Sequence, residues 1–360
     1  MKIYNFAAGP AVLPEEVMLK AQSEFVNYQG SGSGILELSH RGKFFQAVID
    51  RADANVRELL NLSDDYSVLF IQGGASMQFA MLAMNFLNGG TADYVDTGVW
   101  SNKAAKEAKM FGNVNIVASS REDKYAYIPS QDCWKQTPGA AYLHITSNNT
   151  IAGTQYYNMP EAPAGVPLIA DMSSDIMSRQ FDASKFGMIY AGAQKNLGPA
   201  GVALVVLRKD LAERTDNSKV PTMLRYSTYI EEGSMFNTPP TFAIYLLAMV
   251  TDWIKAKGGI AAIEKINNEK AAMLYNFLDD SSFYSCPVKG NDRSRMNVVF
   301  RTPSEELDAK FVAEATAAGL TQLKGHRLVG GCRASIYNAM PAEGIVALVD
   351  FMKQFEVANR

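Results

Sequence analysis

AGAQKNLGPA, residues 191–200, places one lysine, Lys195, in a glycine-flanked turn between two apolar runs at 187–190 and 201–207. Lysine ammonium groups normally lie in water. The small residues around Lys195 leave room for a ligand against the backbone, and burial would lower its pKa toward the neutral amine that attacks carbonyl groups. The pattern therefore indicates a lysine that forms a Schiff base. A surface lysine in a β-hairpin turn is the alternative interpretation.

A carboxylate ends the apolar run that precedes this turn. The run 166–170 is followed by Asp171 and by the polar cluster Ser173-Ser174-Asp175, which predicts a buried parallel strand with an aspartate at its C-terminal end. Ligands of open α/β sheets bind at the carboxyl ends of strands. Pyridoxal phosphate needs an aspartate that keeps its pyridine nitrogen protonated and a lysine that carries its aldehyde. A helix cap or a turn is the alternative role for Asp171.

A candidate phosphate site lies nearer the N-terminus. Residues 66–81 read as a strand, a Gly73-Gly74 turn and the start of an apolar helix, and backbone N–H groups at such a helix start bind phosphate. The segment has neither the P-loop pattern nor the third glycine of a dinucleotide fingerprint, so it favours a small phosphate ligand over a nucleotide. An ordinary strand-to-helix turn is the alternative.

The wider pattern predicts an α/β fold with two domains. Strand-length apolar runs alternate with helical patterns from about Asp65 to Leu207, as in a mostly parallel sheet covered by helices. The following segments predict helices at 242–256 and 263–278, and then a strand at 296–301, a helix at 307–318 and a strand at 333–337 that build a smaller α+β domain. We place the boundary at Gly258, so that residues 1–257 form the large domain and residues 258–360 the small one. Residues 210–221 are polar enough to suggest a mobile loop.

Composition limits the classes of function. The 360 residues are 48% hydrophobic with a formal net charge of −3, which suits a large core and gives no reason to expect a nucleic-acid partner. No apolar stretch predicts a membrane span or a signal peptide, so a cytoplasmic protein is expected. Cys133, Cys286 and Cys332 have no CxxC spacing, and we interpret them as reduced thiols without a disulfide or a metal. His144 lies in an apolar run and is interpreted as a core histidine.

Two of the three histidines are followed directly by arginine, in His40-Arg41 and His326-Arg327. Each pair lies in a glycine-rich loop and offers a planar guanidinium beside a second donor, which suits a phosphate or a carboxylate. If the pairs converge, they would bind the anionic far end of a substrate. No ligand spacing for a metal is present. Two unrelated surface loops are the alternative.

Five segments together resemble the phosphoserine aminotransferase family of class V aminotransferases: QKNLGPAG at 194–201, NFAAGPA at 5–11, SHR at 39–41, QGG at 72–74 and GGCRASIYNA at 330–339. The resemblance runs along the whole chain. It implies the fold type I of pyridoxal phosphate enzymes, with a mostly parallel seven-stranded sheet, and a homodimer with shared active sites. The implied reaction is amino transfer from L-glutamate to 3-phosphohydroxypyruvate, giving O-phospho-L-serine in serine biosynthesis; the resemblance leaves open 4-phosphohydroxy-L-threonine in pyridoxine biosynthesis.

The resemblance also implies a role for each matching residue. Lys195 would carry the cofactor and move protons, and Asp171 would pair with the pyridine nitrogen. The other implied cofactor contacts are stacking by Trp100, a hydrogen bond from Thr150, phosphate donors at Ala75, Ser76 and Gln194, and Asn237 and Thr238 from the neighbouring subunit. The implied substrate contacts are Arg333 at the α-carboxylate and His40, Arg41, His326 and Arg327 at the distal anion. Some family members carry arginine in place of Ser76, and Lys43 or a backbone donor would then compensate here.

Three rival functions fit parts of this pattern. A cysteine desulfurase of the same fold needs a reactive cysteine on a mobile loop, whereas Cys332 lies in a strand-like segment. Another aminotransferase acting on a small amino acid would keep the lysine and the aspartate. A non-catalytic binding module on this fold would be expected to add a DNA-binding domain or to lose the lysine, and neither change is seen.

Overall fold

The apolar runs on both sides of the lysine turn are neighbouring strands of one central sheet. In the computed structural model, which describes residues 2–288 and 290–360, the strands are β1 (Tyr4–Asn5), β2 (Tyr66–Gln72), β3 (Thr91–Asp96), β4 (Asn113–Ser119), β5 (Leu143–Thr146), β6 (Asn148–Asn149), β7 (Thr154–Gln155), β8 (Leu168–Asp171), β9 (Phe186–Gly192), β10 (Val202–Arg208), β11 (Asn297–Phe300), β12 (Leu320–Thr321) and β13 (Cys332–Ser335).

The helices cover this sheet and build the C-terminal part of the chain. They are α1 (Glu15–Glu24), α2 (Lys43–Leu60), α3 (Ala75–Phe86), α4 (Val99–Ala108), α5 (Lys209–Ala212), α6 (Tyr226–Glu231), α7 (Thr241–Ala256), α8 (Gly259–Asp280), α9 (Glu305–Ala317) and α10 (Ala342–Asn359). Among the residues described, no helix is both long enough and apolar enough to span a membrane.

The central sheet has seven strands in the order β2-β10-β9-β8-β5-β3-β4. The strands from β9 to β4 are parallel to one another, while β10 runs antiparallel to both β9 and β2. β8 and β9 are buried along their whole length, because helices cover both faces and each strand is a continuous apolar run. The predicted mostly parallel seven-stranded sheet is confirmed.

One apolar core lies on each face of the sheet. Side chains of α2 and α7, such as Val56 and Leu247, pack on one face, and side chains of α3 and α4, such as Leu82 and Ala104, pack on the other. Because parallel strands end at the same edge, the two cores fix β5, β8 and β9 with their carboxyl ends side by side. This edge carries Asp171 and leads into the turn with Lys195.

A third core joins the last hundred residues with the start of the chain. Side chains from α8, α9 and α10 pack around the antiparallel pair β11 and β13, and Phe6 is fully buried among them. β1 pairs in parallel with β12, in the register Tyr4 with Leu320. The first residues therefore pack with the C-terminal elements. The domain boundary between residues 257 and 258 remains a prediction.

Several local predictions are confirmed, with shifted ends. The helix expected from residue 263 begins at Gly259, and the strand expected to reach residue 337 ends at Ser335. The predicted loop at 210–221 is wrong at its start, because residues 209–212 form α5, where Leu211 is buried against the sheet. His144 lies fully buried on β5, and its Nε2 is 2.9 Å from the hydroxyl of Tyr190.

A buried ammonium supports the loop that follows β13. Lys270 on α8 is fully buried and donates hydrogen bonds to the carbonyl groups of Ile336, Tyr337 and Met340 at 3.1, 2.7 and 3.0 Å. We expect Lys270→Met to lower the free energy of unfolding by about 3 kcal/mol, because three buried carbonyl groups lose their donor. Urea unfolding measures this change. The exposed Lys265 on the same helix supplies the control, and a loss in Lys270→Met no larger than in Lys265→Met would contradict the assignment.

Candidate active site

Lys195 lies in the turn that joins β9 to the antiparallel strand β10. The turn is closed by hydrogen bonds from the N–H of Ala193 to Val202 at 3.0 Å and from the N–H of Gly198 to Ala193 at 2.9 Å. Gly201 has φ +111°, a conformation that a residue with a side chain rarely adopts. The alternative of a hairpin turn thus describes the connection correctly, but the lysine in it is not a free surface residue.

The amine of Lys195 is held inside the site. Its Nζ donates a hydrogen bond of 2.8 Å to Oγ1 of Thr150, a buried residue in the turn between β6 and β7. Desolvation lowers the pKa of Lys195 to about 8, although the charge of Asp171 raises it. This agrees with the direction expected for an amine that must lose its proton near neutral pH.

Asp171 ends β8, next to the strand that leads to Lys195. Its Oδ1 accepts hydrogen bonds from the N–H of Ser173 at 2.9 Å and from the hydroxyl of Ser173 at 2.5 Å. The same hydroxyl oxygen accepts the N–H of Gly192 at 3.0 Å. Burial raises the pKa of Asp171, and the positive charge of Lys195 opposes that effect. Ser173 therefore links the carboxylate to the end of β9.

Two further predicted residues lie around the lysine. The ring centroid of Trp100, in the first turn of α4, is 6.0 Å from Nζ of Lys195. Nη1 of Arg333, on β13, is 3.4 Å from the carbonyl oxygen of Thr150. The indole nitrogen of Trp100 and Nε of Arg333 are both buried without a hydrogen-bond partner among the described residues. Buried polar atoms of this kind are normally satisfied, so both can bond a ligand.

The predicted phosphate donors lie at the start of α3. Ala75 and Ser76 form its first two positions, and their N–H groups have no acceptor within the described part of the chain. A Cβ built on Gly74 meets nothing within 4 Å, so the space beside this helix end is open. Nδ2 of Asn237 donates a hydrogen bond of 3.1 Å to the side chain of Gln72 at the end of β2. Thr238 beside it is exposed.

The two His-Arg pairs do not meet within one chain. His326 and Arg327 line a cavity of 1250 Å³, which His40 and Arg41 do not line. Arg41 is exposed, and its Nε lies 3.4 Å from Nε2 of His40 in the loop before α2. The convergence of the two pairs on one anion remains a prediction that requires a second subunit.

Sequence reasoning did not foresee how the N-terminal segment contacts the lysine turn. The N–H of Ala11 donates to the carbonyl oxygen of Gln194 at 2.9 Å, and a Cβ on residue 9 would lie 3.4 Å from Cγ of both Gln194 and Lys195. The hydroxyl of Tyr337, on the loop after β13, donates to the carbonyl oxygen of Ala8 at 2.8 Å. The only sequence signal for this contact was the family motif at 5–11. Gly9 keeps the space next to the lysine free of a side chain.

Comparison with known proteins agrees with this fold. A family model described as aminotransferase class V matches residues 3–348. The phosphoserine aminotransferase of Bacillus cereus is 52% identical over 360 residues, which cover 100% of this chain and 99% of that protein. The solved phosphoserine aminotransferase of Bacillus circulans subsp. alkalophilus matches with a TM-score of 0.97 at 50% identity, over 100% of this chain and 99% of that one.

A third match is the solved phosphoserine aminotransferase of Trichomonas vaginalis with bound pyridoxal phosphate, at 40% identity and a TM-score of 0.94, over 98% of this chain and 100% of that one. The fold and the family model over residues 3–348 define the class, which is that of the class V aminotransferases. Within this class, the chain belongs to the phosphoserine aminotransferase family.

Proposed function

We propose that this chain transfers the amino group of L-glutamate to 3-phosphohydroxypyruvate, giving O-phospho-L-serine and 2-oxoglutarate, with pyridoxal 5′-phosphate as cofactor. The observation that carries the proposal is the pair of the half-buried Lys195 and the buried Asp171 at the carboxyl edge of the sheet, where the lysine pKa is lowered to about 8. The similarity to the phosphoserine aminotransferases of Bacillus supports the same substrates.

The residues at this edge fit pyridoxal phosphate. The two hydrogen bonds from Ser173 both go to Oδ1 of Asp171, which leaves Oδ2 for a donor such as a protonated pyridine. The N–H groups of Ala75 and Ser76 at the start of α3 have no acceptor among the described residues and suit the phosphate. The unpartnered indole N–H of Trp100 also offers a donor. When bound, the cofactor supplies an electron sink for the carbanion at the substrate α-carbon.

The chain's own residues then have separate tasks. Asp171 would hold the proton on the pyridine nitrogen through its charge, and Lys195 would take a proton from the α-carbon of the substrate and deliver it to the aldehyde carbon of the cofactor, on the other side of the amino nitrogen. An amine with a pKa of about 8 exchanges protons near neutral pH more readily than an ordinary lysine. Thr150 would fix the position of the amine through its 2.8 Å hydrogen bond. Ala75, Ser76, Gln194, Asn237 and Thr238 would bind the phosphate.

Substrate anions would be bound by arginines. Arg333 is close enough to Thr150 to bind an α-carboxylate near the lysine. Burial lowers the pKa of Arg333, because its positive charge is partly desolvated and has no carboxylate beside it among the described residues. His326 and Arg327 line the cavity on this side of the site. We propose that His40 and Arg41 complete the distal site from the second subunit.

We expect Arg41→Ala or Arg327→Ala to raise KM for 3-phosphohydroxypyruvate by about ten- to a hundredfold, because one charge-assisted bond to phosphate is lost. Arg333→Ala should impair every amino acid, phosphorylated or not, because all of them carry the α-carboxylate. Steady-state kinetics with O-phospho-L-serine and with alanine measure the contrast. Equal losses for both substrates in the Arg41 and Arg327 variants would contradict phosphate recognition by these residues.

A homodimer follows from the same proposal. Several large apolar side chains near the N-terminus are exposed, among them Leu19, Phe25, Val26 and Leu36, and a subunit interface would cover such side chains. Light scattering of the purified protein measures the oligomeric state. A cytoplasmic location also remains a prediction.

The rival functions give different results in one assay. An absorbance band of the holoenzyme at about 420 nm that disappears on borohydride treatment identifies a lysine-bound cofactor. This result excludes a binding module that holds no cofactor. Turnover of 3-phosphohydroxypyruvate with glutamate tests the reaction directly.

A cysteine desulfurase is disfavoured because Cys332 is buried on β13 and burial raises its pKa far above the usual range. Kinetics with the keto acid of 4-phosphohydroxy-L-threonine would decide whether the pyridoxine-pathway substrate is used.

A further inference from the structure

Positive charge is concentrated in the cavity that contains His326. Its lining holds seven lysines and arginines against three carboxylates, in a chain with a formal net charge of −3. The cations are Lys103, Lys106, Arg121, Lys124, Arg301, Lys324 and Arg327. We call this set the basic cavity. The remainder of the chain is therefore distinctly acidic, and the cavity is a local exception to the overall charge.

Most of these charges are not neutralised locally. Lys103, Lys106 and Lys324 are exposed and take part in no ion pair within the described residues. One of the three carboxylates, Asp308, is buried and accepts hydrogen bonds of 2.8 Å from the N–H and hydroxyl of Thr302. The field in the basic cavity is thus positive and open to solvent.

The basic cavity adjoins the candidate active site. Lys103 and Lys106 lie one turn apart on α4, whose first turn carries Trp100. Nζ of Lys103 is 4.5 Å from the ring centroid of Trp100, and the same ring is 6.0 Å from Nζ of Lys195. His326 lies between the two regions electrostatically. Its pKa is lowered first by burial and then by the positive charges of Arg333 in the candidate active site and of Arg327 and Lys103 in the basic cavity.

We infer that Lys106 and Lys324, together with the other cations of the basic cavity, form an electrostatic entrance that draws multiply anionic substrates toward the active site. The inference rests on the proposed function. A phosphorylated keto acid carries a carboxylate and a phosphate with a charge of about −1.5 to −2. Clefts of one sign raise the local concentration and the association rate of such a ligand by about ten- to a thousandfold, and salt reduces the effect.

The experiment compares holoenzyme carrying Lys106→Gln and Lys324→Gln together with the unchanged holoenzyme. These side chains line the cavity but are not placed against the cofactor or the reacting atoms. We measure kcat/KM for 3-phosphohydroxypyruvate at ionic strengths of about 0.01 M and about 0.1 M, between which the Debye length falls from about 30 Å to about 10 Å. Pyruvate, with one negative charge, is the matched substrate. Lys353→Gln, at an exposed lysine on α10 that pairs with Asp350, is the control variant.

For the unchanged enzyme we expect kcat/KM to fall about tenfold over this range with the phosphorylated substrate and about twofold or less with pyruvate. The double variant should start lower and fall only about threefold, with kcat unchanged, and Lys353→Gln should behave as the unchanged enzyme. An undiminished salt dependence in the double variant would overturn the inference while the proposed function stands. No turnover of the phosphorylated substrate by the unchanged enzyme at either ionic strength would overturn the proposed function, and the inference with it.

Discussion

Lys195→Ala should reduce the rate of transamination by at least about a thousandfold, or roughly 4 kcal/mol of barrier, and leave the chain folded. The substitution removes the amine that would bind the cofactor and carry the proton, but it keeps the hydrogen bonds that close the turn, since these join Ala193, Val202 and Gly198. Single-turnover kinetics with glutamate measure the rate. Cofactor content and a thermal unfolding curve report on binding and folding separately.

The far end of the same strand supplies a matched control for Lys195. Lys185 is exposed and directly precedes β9, so Lys185→Ala removes one ammonium from this strand without touching the site. Its rate should stay within about twofold of the unchanged enzyme, in line with the small effects of exposed substitutions. After borohydride treatment, peptide mass analysis should find the cofactor on Lys195 alone. Turnover of Lys195→Ala within about tenfold of the unchanged enzyme, with cofactor bound, would exclude this lysine as the catalytic one.

Asp171→Asn should lower the rate by about a hundredfold, because a neutral amide cannot stabilise a positive charge on the pyridine nitrogen. The amide oxygen can still accept the hydrogen bonds from Ser173, so the geometry at the end of β8 is retained and the change isolates the charge. Cofactor affinity should fall less than the rate. Absorbance titration with the cofactor and kinetics at saturating substrate give the two quantities.

Ser173→Ala is the counterpart of Asp171→Asn. It removes the hydroxyl that bonds both Asp171 and Gly192 but keeps the carboxylate charge, so the rate should fall by about tenfold or less. A rate loss below about tenfold in Asp171→Asn, or one smaller than that in Ser173→Ala, would contradict the role of the aspartate at the pyridine nitrogen.

The approach of Asp171 to the lysine turn could be predicted because it depends on local patterns. An apolar run that ends in aspartate and a later one that ends before Lys195 are parallel strands of one sheet, and here they are direct neighbours. Because the carboxyl ends of parallel strands meet at one edge of the sheet, Asp171 and the lysine turn are expected to lie close together. The same reasoning predicted the helix start at α3, where a glycine turn separates a strand from a helix; its role as a phosphate site stays a prediction.

Contacts between distant segments could not be found in this way. The hydrogen bond between Ala11 and Gln194 joins residues far apart in sequence, and no periodicity in either segment encodes the partner. Ser173 was visible only as part of a polar cluster, since its two hydrogen bonds depend on the exact end of β9. The His-Arg pairs show the limit most clearly, because similar motifs lie in separate places and only a second chain could bring them together.

The pairing of β1 with β12 bears on when, during its synthesis, the chain becomes an enzyme. Tyr4 and Asn5 are made before the central sheet, but their partners Leu320 and Thr321 are made after it, roughly 15 to 60 seconds later at ordinary rates of translation. Until then the segment that rests on the lysine turn has its contact with Gln194 but lacks its partners in β12 and Tyr337. A ribosome-bound chain can therefore form the central sheet well before its active site is complete, and catalytic competence waits for the last part of the polypeptide.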